Sequence, residues 1–165
     1  MQERTRTFDW EDPVANAALG RELSGIDFMR AIRDGTIPPP PIARLMDFDL
    51  AEVDEGRAVF TVEPAEFHYN PIGMVHGGLA ATLIDSATGC AVHTTLPAGV
   101  GYTTLEFKSN FVRAIGRDTG RIRCTGEVLH RGGTIATAEA RLTADESGKL
   151  LAHGVATCAI LGARP

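Results

Sequence analysis

Residues 70–96 read NPIGMVHGGLAATLIDSATGCAVHTTL, the longest nearly uncharged run in the chain. From His76 to Leu96 there is no proline, and Asp85 is the single charge. Pro71, Gly73 and Gly77-Gly78 before it mark a loop turning into a helix. The pattern predicts a helix over Gly78–Thr95. At about 100° per residue, Gly78, Ala81, Thr82, Asp85, Thr88, Gly89 and Val92 share one side, and Leu79, Leu83, Ala87 and Cys90 lie roughly opposite. The aliphatic side suits packing on a sheet, while the Asp85 side is small enough to admit a guest. A buried carboxylate with no cation one turn away loses solvation and needs another partner. The choice is between a loop-capping carboxylate and a catalytic one.

The loop N-P-x-G-x-V-H-G-G feeds into the helix N-terminus, where up to four backbone N–H groups lack intrahelical partners and the dipole favours negative charge. Asp85 lies eight residues beyond Gly77, about 12 Å of helix rise, so a substrate lying along the helix could meet both. An oxyanion-stabilising end and a carboxylate base share one element.

Asn70, Pro71, Gly73, His76-Gly77-Gly78 and Asp85 together resemble the motif of the PaaI-type acyl-CoA thioesterases of the hotdog superfamily, and the resemblance extends over residues 42–161. It implies an α+β hotdog fold, in which an antiparallel sheet wraps round one long central helix. It also implies an acyl-CoA substrate, no cofactor beyond the CoA carried by that substrate, and a homodimer or homotetramer. Asp85 would be general base or nucleophile, and Gly77 N–H the oxyanion donor. Asn70 would orient the carbonyl or the attacking water, although Asn-Pro also favours a plain turn. His76 is a potential base, but a lone histidine at a loop-to-helix junction more often holds backbone in place. Family members carry a Ser or Thr that reaches the neighbouring subunit's carboxylate. Thr103 fits by its distance from the HGG, and Thr104 stays open because successive strand side chains point to opposite faces.

The rest of the chain is consistent with one domain. Its 165 residues carry 44% apolar residues and a net charge of −5, which offers no generic attraction to nucleic acid or anionic membrane. Cys90, Cys124 and Cys158 are odd in number and lack paired metal spacing. The N-terminus has no apolar signal core, and the run over residues 76–96 is too rich in Gly, Thr, His and Ala for a good membrane span. A cytoplasmic protein is expected.

Residues 1–41 form an N-terminal extension: a loose arm to about residue 17, a short amphipathic helix from Leu19, and a stiff Pro38–Pro41 linker. The hotdog domain occupies 42–165. Residues 42–50 are either a short helix or the first strand, and Arg57–Glu63 alternates as a strand. After the helix come four strand-like segments joined by short turns, which argue an antiparallel meander. A single sheet covers one side of the helix, so a second copy of the chain is the simplest cover for the Asp85 face.

Among basic residues, Arg113 and Arg131 at strand ends, with the Gly132-Gly133 turn, are the local features suited to CoA phosphates. Gly78 and Thr104 complete the substrate-binding set. His68, His93, His130 and His153 are scattered, so no metal site is expected. Ser86 lacks a G-x-S-x-G elbow, which removes the serine-hydrolase reading. Two further readings remain: a non-catalytic acyl-CoA-binding hotdog protein, against which the Asn70, Gly77 and Asp85 set argues, and a hotdog hydratase, which normally uses a His–carboxylate motif.

Overall fold

The computed structural model describes residues 3–162. Three short helices come first: α1 (Pro13–Gly20), α2 (Gly25–Arg33) and α3 (Pro41–Met46). Strands β1 (Phe48–Asp54) and β2 (Arg57–Val62) lead into the long helix α4 (Gly77–His93), and β3 (Gly101–Phe111), β4 (Ile122–Arg131), β5 (Ile135–Ala144) and β6 (Leu150–Leu161) follow. All pairings are antiparallel, in the order β1-β2-β4-β5-β6-β3, and α4 lies against the sheet. This is the hotdog arrangement that the family resemblance implies.

Several expectations need correcting. Helix α4 begins and ends a residue or two earlier than predicted. His76 caps its start, its Nδ1 accepting the Gly78 N–H at 2.8 Å. At the other end Thr94 and Thr95 donate to the carbonyls of Ala91 and Val92, satisfying groups that a continuing helix would have used. The ambiguous run at 42–50 is both things: α3, then β1 after Asp47 turns left-handed at φ 58°. Two strands, β1 and β2, therefore precede α4. The later strands are not a simple meander. Short turns join β4 to β5 and β5 to β6, but ten residues separate β3 from β4, enough for the chain to cross the sheet, so β3 pairs with β6 at the edge.

The N-terminal arm is tied down rather than loose. Asp12 caps α1 by accepting the Val14 N–H at 2.8 Å, with Pro13 at the first helical position. Arg6 donates to the carbonyls of Arg44 and Leu45 at the end of α3 and stacks over Phe67 at 4.2 Å. Met29 of α2 is buried in the same core as α4 and the sheet, so the extension shares the core of the residues that follow it.

That core is built for close approach. Leu79, Leu83, Ile84 and Ala87 of α4 are at most 1% exposed, and burying each large aliphatic side chain contributes roughly 1.5–3 kcal/mol. Opposite them β5 presents Ala136, Ala138 and Ala140, and β4 presents Gly126. A Cβ on Gly126 would stand 2.2 Å from the Ala87 carbonyl oxygen, and backbone cannot retreat as a side-chain tip can. Gly126→Ala is therefore expected to destabilise the fold by about 3 kcal/mol or more, read as a lower urea midpoint. Gly133→Ala, whose added methyl meets nothing within 4 Å, is expected to move stability by less than about 0.5 kcal/mol.

Candidate active site

The loop before α4 is rigid for reasons its sequence explains. Asn70 Oδ1 accepts the N–H groups of Ile72 and Met74, each at 3.1 Å, an Asx turn that folds the segment on itself. His68 is buried; its Nδ1 accepts the Ala65 N–H and its Nε2 donates to the Met46 carbonyl, while burial pushes its pKa down and keeps the ring neutral. Backbone bonds from His76 to His68 and from Val75 to Ile115 fix the approach to the helix. Asn70 and His76 thus both hold backbone, with the Asn70 amide nitrogen left over. The Gly78 N–H is taken by His76, and the Gly77 N–H has no partner among the described residues.

Asp85 projects from the middle of α4 and is half-buried. Its Oδ1 accepts the Thr104 hydroxyl at 2.9 Å within the same chain, and among the described residues it has no ion-pair partner. Its neighbours Gly78, Ala81, Thr82 and Ser86 are also only partly covered, so this face of α4 is the one the sheet leaves open. Thr88 belongs to the buried side instead, its hydroxyl donating to the Ile84 and Asp85 carbonyls.

Strand β3 supplies the other wall. Tyr102 and Thr104 face α4, and Thr103 between them is exposed on the opposite face. The hydroxyl on Asp85 within one chain is therefore that of Thr104, not Thr103. A bulge at Leu105 then shifts the alternation, so that Phe107, Ser109 and Phe111 pair with Ala156, Gly154 and Ala152 of the inner face. Phe107 and Phe111 are 39% and 57% exposed there. Phe111 flanks the helix start: a Cβ on Gly77 would lie 3.4 Å from its ring. Sequence reasoning missed both Tyr102 and Phe111: Tyr102 shares its parity with Thr104, whereas Phe111 reaches that face only because the bulge at Leu105 shifts the alternation. Thr104→Val removes a hydrogen bond to a charged group, worth about 1.5–3 kcal/mol. It is expected to lower kcat about 10- to 100-fold, with Thr103→Val nearly silent in the same assay.

The two arginine sites do not meet. Arg113 lies two residues beyond Phe111, at the Gly77 end, and its guanidinium donates to the Leu150 carbonyl at 3.4 Å. Arg131 and Gly132 sit beside Ile135, whose sheet neighbour Ala159 pairs with Thr103; ten residues of extended chain put them roughly 30 Å away. Gly132 N–H closes the hairpin on the Ile135 carbonyl at 2.8 Å. Cys90, one turn beyond Asp85, is no nucleophile: burial, with the Asp85 charge adding, pushes its thiol up to about 12.

The family model described as the thioesterase superfamily matches residues 72–151, from the loop before α4 to the start of β6. Acyl-coenzyme A thioesterase 13 of Homo sapiens is 32% identical over 107 residues, covering 64% of this chain and 74% of that protein. The chain belongs to the thioesterase superfamily. A solved conserved protein of Pseudomonas aeruginosa matches this thioesterase with a TM-score of 0.69 and 31% identity, over 74% of this chain and 95% of that one. The E. coli PaaI structure, at 21% identity, shares the fold of the thioesterase with a TM-score of 0.71 over 85% of this chain and 96% of its own. The matched stretch contains Gly77, Asp85 and Thr104, so the open face of α4 lies inside the region that defines these thioester hydrolases.

Proposed function

We propose that this thioesterase hydrolyses acyl-CoA thioesters to the free acid and CoA, with Asp85 as general base. The observation that carries the reading is the Asp85 carboxylate: half-buried, without a cation among the described residues, its Oδ1 held by Thr104, and on the same open surface as the Gly77 N–H, which has no partner among those residues either. Oδ2 is left to take a proton from water. The water oxygen bonds to the thioester carbon, the C–S bond breaks, and the proton passes to the departing sulfur. The carbonyl oxygen gathers negative charge during attack, and a backbone N–H at a helix N-terminus is suited to stabilise it. Water is the only co-reactant, so no cofactor is invoked.

The two groups are too far apart on one helix to serve one carbonyl. Eight residues give about 12 Å of rise, and the side chain leans back only part of that distance. An N–H···O bond of about 2.9 Å, a C=O of about 1.2 Å and an attack distance of about 3–3.5 Å sum to less. A bridging water closes the gap only if it attacks along the C=O axis, whereas attack comes from the side. The expected reach of one substrate to both groups of one helix therefore gives way to a different proposal: a two-fold copy brings its Gly77 to this chain's Asp85. Edge strand β3, paired among the described residues with β6 alone, and the exposed Phe107 and Phe111 support such a dimer.

Light scattering at working concentration is expected to give twice the chain mass or a multiple of it, and an active monomer would contradict the proposal. Thiol release from a panel of acyl-CoAs tests the activity: free CoA is expected with several acyl groups, while tight binding without release would favour a binding protein. Three free cysteines fit a reducing, cytoplasmic setting, and no described helix is long and apolar enough to cross a membrane.

A further inference from the structure

We propose that the cavity between the N-terminal helices and α4 receives an uncharged, apolar acyl group of about ten carbons. The inference rests on the acyl-thioester reading above. It adds a pocket walled by the chain's own extension, outside the stretch that the family model matches.

The cavity is open-sided and about 520 Å³ in volume. Ser86, Cys90 and His93 of α4 line it together with Phe28 and Ile32 of α2 and Leu50 of β1, and the Phe28 and His93 rings meet edge to face at 5.5 Å. Two elements independently lead to it from the reacting site. On α4 the cavity residue Ser86 adjoins Asp85; on β3 the cavity residue Tyr102 is two positions from Thr104 on the same face. A carbonyl held at Asp85 thus places the start of its acyl group at the cavity mouth.

Size and chemistry narrow the occupant. At about 30 Å³ per water-sized group, 520 Å³ corresponds to roughly seventeen groups if filled, which in an open-sided cavity with ordinary gaps leaves room for on the order of ten heavy atoms, and an acetyl group would leave it nearly empty. The polar atoms within are uncharged: burial keeps Cys90 a thiol, His93 neutral and the Tyr102 hydroxyl protonated. Arg33, Arg44 and Asp49 are exposed at the rim, and Arg33 is paired with Asp34 at 2.8 Å. A carboxylated acyl chain would find no partner inside.

The test uses CoA analogues in which a methylene replaces the thioester sulfur, carrying acetyl, hexanoyl and decanoyl groups. Their affinities for the full chain are measured by calorimetry, beside thiol release from the matching thioesters. Affinity is expected to rise with acyl length, by up to about fourfold per buried methylene. In Ile32→Trp of α2, and separately in Leu50→Trp of β1, the decanoyl-to-acetyl affinity ratio is expected to fall at least tenfold. A flat chain-length profile in the wild type overturns the pocket, as does an unchanged ratio in a variant that melts like the wild type. Length-dependent binding without turnover would instead sink the hydrolysis reading and leave the pocket standing.

Discussion

Asp85→Asn is expected to lower kcat for acyl-CoA hydrolysis about a thousandfold while the protein folds as before. Asparagine keeps the shape of the side chain, and its oxygen can still accept from Thr104, which now donates to Asp85 at 2.9 Å. What disappears is the basic lone pair, and general-base catalysis contributes about 10²- to 10⁴-fold. Stability should change little, because Asp85 has no ion-pair partner among the described residues to strand. Thiol release under saturating substrate and a thermal melt settle both halves. Turnover near the wild-type rate would remove Asp85 from the mechanism, whereas a collapsed melt would make it structural.

Gly77→Pro is the second large effect, since it deletes one N–H with little else. Proline is favoured at the first helical position, and it requires an extended residue before it. His76 already has φ −65° and ψ 136°, so the helix should start where it does now. The ring must share space with Phe111, which lies 3.4 Å from an added Cβ but is exposed and free to turn. Losing one oxyanion donor costs about 10²- to 10³-fold in kcat. Gly77→Ala, which retains the N–H, should lose far less, and equal losses in the two variants would point to crowding by Phe111 rather than to the hydrogen bond.

The central helix was legible because a run from His76 to Leu96 with one charge and no proline has few alternatives. Its open side was legible over the first half of the helix, where Gly78, Ala81, Thr82 and Asp85 are partly covered, but Thr88, Gly89 and Val92, grouped with them by the same periodicity, are buried. Strand parity was not. Thr103 and Thr104 are equally good strand residues, and which one faces inward depends on the edge pairing with β6 and the bulge at Leu105, which no local pattern announces. The cap formed by Asp12 before Pro13 was a readable helix start, hidden by the polarity of its surroundings. The place of β3 beyond β6 and the cavity behind Ser86 arise from contacts between residues far apart in the chain, so neither leaves a periodic trace.

The most direct test of a site shared between two chains is complementation. Asp85→Asn and Gly77→Pro chains, each inactive or nearly so alone, are mixed under conditions where exchange of differently tagged subunits is demonstrated. If Asp85 of one chain works with Gly77 of its partner, each hybrid dimer contains one intact site and one with both lesions. Random exchange should then restore up to about a quarter of wild-type activity. If each chain supplies both groups to its own site, every site in the mixture keeps one lesion. Activity that stays at the sum of the two separate variants would contradict the shared site.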